Sequence, residues 1–384
     1  MKIALFTDGI HPFVVGGIQR HSFYLCKYLA KNGVLIDLYH CVENSELNIE
    51  NLELFSDEEK ENINSIVIDF PSHKRLPGHY VRESYEYSVF VYNEFLKRKD
   101  VDFVYSKNYT SWKFLEEKRA GVKLPPIGVK LHGYEAFQIH TSLRDYTYTF
   151  FHKPAIIFNT KYADIVFSYG GKITDLILEN TGTTIDQVVE IPSGIDPDWI
   201  LADSEINSNN ENKLKLVFVG RFAKRKGIHI INKWIKKTKL DFQMTFVGPI
   251  PKEQRIIDPR IEYLGLIQET EELKKVLTKQ DVLLCPSLAE GMPNVILEGM
   301  SCGCAILATD VGATSSMVNN DNGWLIKPND YQDFEMNIES IFKTSDIDLT
   351  NKKLSSKEKV LRQFNWELIS EQVIDTIKKF IIQK

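Results

Sequence analysis

The chain has 384 residues, a net charge of −5, 43% hydrophobic residues and 26% charged residues. That length exceeds what one hydrophobic core usually serves, so two domains separated by a cleft are expected, and the composition excludes disordered and fibrous classes. A cut at Ile195 leaves 21 basic against 25 acidic residues before it and 26 against 27 after it, so neither half has the basic excess of a nucleic-acid binder.

From the start, Met1-Lys2 leads directly into an apolar run at residues 3–7, which closes on Asp8-Gly9. There is no leader pattern and no stretch of 18 apolar residues, so a cytoplasmic protein that neither leaves the cell nor spans a membrane is expected. A Gly16-Gly17 loop follows, then an amphipathic stretch with Phe23, Leu25, Cys26, Tyr28 and Leu29, a stop at Gly33 and a second apolar run at 34–39. This is a β-loop-α-β unit. Further strands are expected at 65–70, 102–106, 127–131, 156–159, 165–168 and 188–191. Alternating strands and helices imply a parallel sheet with helices on both faces.

Residues 203–213 are polar and Asn-rich and are expected to be a linker. The pattern then restarts, with strands expected at 215–219, 243–247, 261–264, 282–285, 305–308 and 324–326. The expected division is a first domain at 1–200, a second at 213–365, and a terminal helix over 366–384. That helix has apolar Leu368, Ile369, Val373, Ile374, Ile377, Phe380 and Ile381 on one side and needs a partner surface. The five cysteines include no CxxC pair, which argues against a disulfide framework and a zinc site and for a reducing compartment.

Ligands of open parallel sheets bind outside the carboxyl ends of the strands, so the residues just after each strand are the first candidates. After the strand ending at Val219 comes GRFAKRKG, in which Arg221 and Lys226 precede a helix and suit a diphosphate. A solvated basic loop is the plain alternative. After the strand ending at Cys285 comes EGMPNVILE, with a helix expected to start at Pro293-Asn294. Glu290 lies before that helix and Glu298 on it, and backbone N–H groups at Met292, Pro293's neighbour Asn294 and Val295 would face a phosphate or a sugar hydroxyl. Each carboxylate can accept two hydroxyl hydrogen bonds, which suits sugars.

Gly16 and Gly17 would let the backbone approach a ligand closely, although a tight turn also explains them. His132 follows the strand at 127–131 and is the best placed of nine histidines. Asp-x-Asp occurs at Asp100, Asp196 and Asp346, but none follows a strand end, so no metal and no cofactor is expected. Arg221 and Lys226 would do a metal's charge work instead.

In this order, the segments HPFVVGGIQRHSFYLCKYLAKNG, LHGYE, VVEIPSGID, VFVGRFAKRKG, ILEGMSCGCAILATDVGA and FNWELISEQ resemble the retaining family 4 glycosyltransferases of GT-B fold. The resemblance runs through nearly the whole chain. It implies two Rossmann-like domains facing across a cleft, with the terminal helix crossing back to the first. It also implies that Arg221 and Lys226 hold the donor diphosphate and that Glu298 binds the ribose hydroxyls. Glu290 would bind the transferred sugar, with Met292 to Val295 supporting it, Gly16 and Gly17 lining the cleft, and His132 beside the sugar. Gln19 stands where the family often has Glu, and Ser193 where it often has Asn.

The expected activity is therefore metal-independent, retaining transfer of a hexose-type sugar from a nucleotide-diphosphate donor to a saccharide or lipid-linked acceptor. Cell-surface polysaccharide or glycolipid synthesis is the expected setting. The basic and aromatic segment at 71–92 is a candidate for peripheral membrane contact. The alternatives are a sugar-nucleotide epimerase of the same fold and an inert subunit that binds a partner enzyme.

Overall fold

The computed structural model describes residues 1–14, 16–42, 49, 53–73, 77–140, 142–202, 206 and 213–383. The expected linker at 203–213 lies outside them except for Ile206 and Lys213, and so do Lys74 and Arg75 of the expected membrane-facing segment. Two compact units emerge: Met1–Ser193 with Trp366–Lys384, and Gly194–Asn365.

The first unit runs β1 (Lys2–Phe6), α1 (Gly17–Lys31), β2 (Leu35–His40), α2 (Asp57–Glu61), β3 (Ile63–Val67), α3 (His79–Phe95), β4 (Phe103–Lys107) and α4 (Trp112–Arg119). It continues with β5 (Ile127–Lys130), α5 (Leu143–Lys161), β6 (Ile165–Ser168), α6 (Lys172–Thr181) and β7 (Val188–Glu190). Among the described residues its seven strands pair in the order β3-β2-β1-β4-β5-β6-β7, all parallel. The order reverses between β1 and β4, where Ile3 pairs with Phe103 and Phe6 with Ser106.

The second unit runs β8 (Leu214–Val219), α7 (Ile228–Ile235), β9 (Phe242–Val247), β10 (Ile261–Gly265), α8 (Thr270–Thr278), β11 (Val282–Cys285) and α9 (Asn294–Ser301). It continues with β12 (Ala305–Thr309), α10 (Thr314–Met317), β13 (Gly323–Ile326), α11 (Tyr331–Phe342) and α12 (Asp346–Gln363). Its six described strands pair in the order β10-β9-β8-β11-β12-β13. This sheet is also parallel and reverses between β8 and β11. Residues 194–202 fall in this unit, not in the first domain where the sequence placed 194–200. Ile195 bridges Asn365, and the Leu201 N–H donates to the Ser301 carbonyl at 3.2 Å.

The last helix, α13 (Trp366–Gln383), packs on α1 of the first unit. Its Trp366, Ile369, Val373 and Ile377 are buried in one core with Phe23, Cys26 and Leu29 of α1 and Leu5 of β1. That is the partner surface its apolar side required. A separate core of Leu216, Phe218, Ile231, Trp234, Phe246 and Leu307 holds the second unit. Burying one such side chain contributes on the order of 2 kcal/mol.

The strand expected at 156–159 is absent: Ile156, Ile157 and Phe158 lie inside α5, which also carries Pro154. Four apolar residues in a row, 155–158, fit a buried helix as well as a strand, and periodicity alone does not separate the two. Strand β3 also starts two residues earlier than expected. No helix among the described residues is long and apolar enough to cross a membrane.

Candidate active site

In the second sheet the reversal between β8 and β11 opens a crevice at the strands' carboxyl ends, where ligands of doubly wound sheets bind. Two loops meet there. One leaves β8 through Gly220 and exposed Arg221, makes a 3₁₀ turn at Lys224–Lys226, and enters α7 at Gly227. The other leaves β11 through Pro286 and reaches α9 by way of Glu290.

The loops are pinned to each other by the Leu288 N–H, which donates to the Arg225 carbonyl at 2.7 Å. Gly227 makes that approach feasible. Its φ is +71°, and a Cβ on it would sit 1.8 Å from the Pro286 carbonyl oxygen. Gly312, with φ +56°, plays the same part behind Glu290: a Cβ there would lie 2.3 Å from the Glu290 oxygen. The Ala313 N–H then ties the loop down by donating to the Gly291 carbonyl at 2.8 Å.

This scaffold brings Lys226 and Glu290 together. The ammonium donates to Glu290 Oε1 at 2.5 Å, and the side chains are 23% and 9% exposed. The pair stands beside Cys285 at the end of β11. Burial pushes that thiol up to about 11, with Glu290 adding to the rise and Lys226 opposing it. A carboxylate and an ammonium held this way present an acceptor for hydroxyls and a donor for phosphate at one place.

The helix expected at Pro293-Asn294 starts there, with Pro293 as N-cap and Asn294 as the first residue of α9. Met292 is buried, Asn294 and Val295 are half-buried, and Glu298 lies one turn into α9, half-buried, where its charge reaches Cys302. Arg221 is placed at the β8 end, as expected from sequence.

In the first unit His132 follows β5. Its Nδ1 lies 2.6 Å from the Tyr169 hydroxyl, and its Nε2 is buried with no hydrogen-bond partner among the described residues. Burial, then Lys107 and Lys130, hold the imidazole well below its ordinary pKa, so it is neutral at pH 7. Its ring is 4.8 Å from that of His21, whose Nδ1 meets Lys107 Nζ at 2.7 Å.

Gly16 precedes α1 with an extended backbone, φ 168°. A Cβ there would meet only the flexible Gln19 side chain, at 2.3 Å from its oxygen, so the backbone itself does not demand glycine. Gly17 begins α1 and is exposed.

Several groups at the first sheet's carboxyl ends were not singled out from sequence. Lys107 and Lys130 are the last residues of β4 and β5, both fully buried, and burial drives both well below the usual lysine range. Asp8 and Asn108 follow β1 and β4. The available signal was position alone: each ends or follows a strand. Among the described residues no three or more His, Cys, Asp or Glu side chains converge as a metal set.

Residues 213–344 match the family described as Glycosyl transferases group 1, so the match covers the sheet and both loops of the second unit. An uncharacterized glycosyltransferase of Methanocaldococcus jannaschii is 24% identical over 379 residues, covering 96% of this chain and 95% of that one. Sucrose-phosphate synthase from Thermosynechococcus elongatus superposes with a TM-score of 0.76 at 18% identity, over 100% of both chains. Anabaena HepE in complex with UDP and glucose does so with a TM-score of 0.66 at 16% identity, over 99% of this chain and 100% of that one.

The chain is a glycosyltransferase of GT-B type. The two parallel sheets of this glycosyltransferase, with seven and six described strands, are the two Rossmann-like halves of that fold. Its group 1 signature lies in the half that carries the Lys226–Glu290 pair.

Proposed function

We propose that the glycosyltransferase transfers a hexose-type sugar from a nucleoside-diphosphate donor to an acceptor hydroxyl, with retention of configuration and without a metal. The observation that carries this reading is the Lys226–Glu290 pair at the β8–β11 reversal, with exposed Arg221 on the same loop as Lys226. Two cations on one loop suit a diphosphate, and a mostly buried carboxylate beside them suits the hydroxyls of the attached sugar. HepE, which shares the fold, binds UDP and glucose, and that supports a nucleotide-sugar donor here.

In the proposed reaction the bond from the anomeric carbon to the diphosphate breaks and a bond to the acceptor oxygen forms on the same face. The departing diphosphate takes the acceptor's proton. Arg221 and Lys226 stabilise the charge that grows on it, Glu290 holds the sugar, and Glu298 holds the ribose hydroxyls. His132, neutral and with Nε2 unengaged, would accept from or donate to a sugar hydroxyl. Gly16, Gly17 and the backbone of Met292 to Val295 complete the proposed donor contacts.

The test is nucleotide release from UDP, GDP and ADP sugars, with and without saccharide acceptors, in buffer and in EDTA. Acceptor-dependent release that survives EDTA supports the reading. Donor converted to a second sugar nucleotide without acceptor would identify an epimerase, and no binding or turnover of any donor would sink the assignment.

A further inference from the structure

Tyr169 follows β6 as His132 follows β5, and the pairing of these two parallel strands brings the side chains together. The phenol oxygen lies 2.6 Å from His132 Nδ1. Both rings are also held from other sides. Lys130 Nζ sits over the Tyr169 ring at 4.1 Å while donating to the Ile191 carbonyl at 2.5 Å, and the His21 ring meets that of His132 at 4.8 Å and 89°.

The direction of the Tyr169–His132 hydrogen bond follows from counting donors and acceptors. Tyr169 is 4% exposed, and burial pushes its phenol pKa well above the ordinary value, so it carries its proton at pH 7. A buried O–H needs an acceptor, and among the described residues His132 Nδ1 is the one the phenol meets. A proton on Nδ1 would instead point at the phenol oxygen and leave the phenol's own proton without a partner. The phenol therefore donates to Nδ1. The imidazole itself is neutral, because burial and then Lys107 and Lys130 oppose its charge. A neutral imidazole whose Nδ1 is bare carries its proton on Nε2.

That proton defines what His132 can offer. Nε2 is buried with no hydrogen-bond partner among the described residues. A buried N–H left alone is costly, and the group that satisfies it is an oxygen with a free lone pair, not another proton donor. We infer that Tyr169 is a positioning residue that locks His132 in its Nε2–H form, so that His132 gives a hydrogen bond to a ligand oxygen and takes no proton from it. The inference rests on the transferase reading only in making that oxygen one of the transferred sugar's. The tautomer does not depend on that reading. With His132 a fixed donor, the proposed path of the acceptor's proton to the departing diphosphate has no competitor at this ring.

The test is ring-nitrogen NMR of the full chain, isotope-labelled in its histidines, with His132 assigned by the signals that His132→Gln removes. In the unchanged protein Nε2 shows as protonated and Nδ1 as bare. Tyr169→Phe moves the Nδ1 signal to that of a nitrogen accepting no hydrogen bond. Tyr87→Phe, which removes another buried hydroxyl, the one that donates to the Thr7 carbonyl at 2.9 Å, leaves it in place. A proton on Nδ1 in the unchanged protein, or an Nδ1 signal that Tyr169→Phe does not move, overturns the inference. Circular dichroism checks that each variant is folded, and should Tyr169→Phe unfold, the proton's place in the unchanged protein decides alone.

Transfer kinetics supply a second readout. Tyr169→Phe lowers transfer about tenfold, but has no further effect in His132→Gln, whose side-chain amide supplies an N–H near the place of Nε2 without needing the phenol. Equal losses in both backgrounds mean that Tyr169 does not act through His132, and the positioning role falls. Absence of transfer from every donor strikes the transferase reading instead, and the ring signals still decide the tautomer.

Discussion

Both sheets place their reversal between the first and fourth strands of the half, yet the groups standing there differ in kind. At β8–β11 two glycines let backbone approach backbone, and a lysine and a glutamate form an ion pair across the gap. At β1–β4 Asn108 and the Tyr80 hydroxyl donate to the Asp8 carboxylate, which also feels the charge of Lys107, and Lys107 and Lys130 are fully buried at the ends of β4 and β5. The same topology thus carries two different sets of charged and polar groups. What selects between them is the handful of residues after each strand, since the strands themselves are alike in order and direction.

The comparison breaks first if the β8–β11 cations are dispensable. Arg221→Ala and Lys226→Ala are each expected to lower transfer a hundredfold or more, about 3 kcal/mol in the barrier. Single-turnover rates with saturating acceptor measure this. Arg221 is exposed, so its removal should leave the melting temperature nearly unchanged, whereas Lys226→Ala also strips Glu290 of a cation and should lower it. Near-wild-type rates in both variants would move the diphosphate elsewhere.

A stability contrast comes next. Gly33 and Gly227 share a φ of +71°, but a Cβ on Gly33 meets nothing within 4 Å, while on Gly227 it meets the Pro286 oxygen at 1.8 Å. Gly33→Ala carries only the left-handed backbone cost, about 1 kcal/mol. Gly227→Ala adds a collision with backbone, about 3 kcal/mol altogether. Urea unfolding of the two variants gives the difference directly, and equal losses would show that the β8–β11 loops yield to an added methyl group.

These residues also show why one crevice was legible in sequence and the other was not. Arg221, Lys226, Glu290 and Glu298 sit in two short motifs, each immediately after a strand whose apolar run is unambiguous, such as residues 282–285. The contacts around Asp8 at the first sheet's reversal come from residues 19, 80 and 108, which lie on separate elements and form no local pattern. Reading 156–159 as a strand also missed the second half of the helix Leu143–Lys161. Strand order cannot be read from a string of alternating elements, so the reversal that singles out Asp8 and Asn108 appeared only with the pairing of β1 and β4.

Acid should separate the units by a smaller amount. Eight of the nine histidines lie in the first unit, with His229 alone in the second. Burial lowers His40 to about 4 and His152 to about 4. A folded pKa below the unfolded value of about 6.5 means the unfolded chain takes the proton first. The stability is therefore present above about pH 6.5 and is lost as pH falls toward 4. Between pH 7 and 5, His40 alone should remove about 2 kcal/mol. Hydrogen exchange at the two pH values should show first-unit strands losing protection more than second-unit strands, and His40→Gln should shrink that gap.

The smallest effect tests the division of labour inside the β8–β11 crevice. Glu298 lies on α9, one turn beyond the N-cap, whereas Glu290 lies in the loop before it and touches Lys226. If Glu298 holds the ribose, it grips a part of the donor that does not change during transfer, so its contribution is the same in ground and transition states. Glu298→Ala should then raise the donor KM about tenfold and leave kcat nearly unchanged. Glu290→Gln, at the sugar, should lower kcat instead, because the charge on that sugar changes as its bond to diphosphate breaks. Matching losses of kcat in both variants would mean that the two carboxylates serve the same end of the donor, and the crevice would lose its internal polarity.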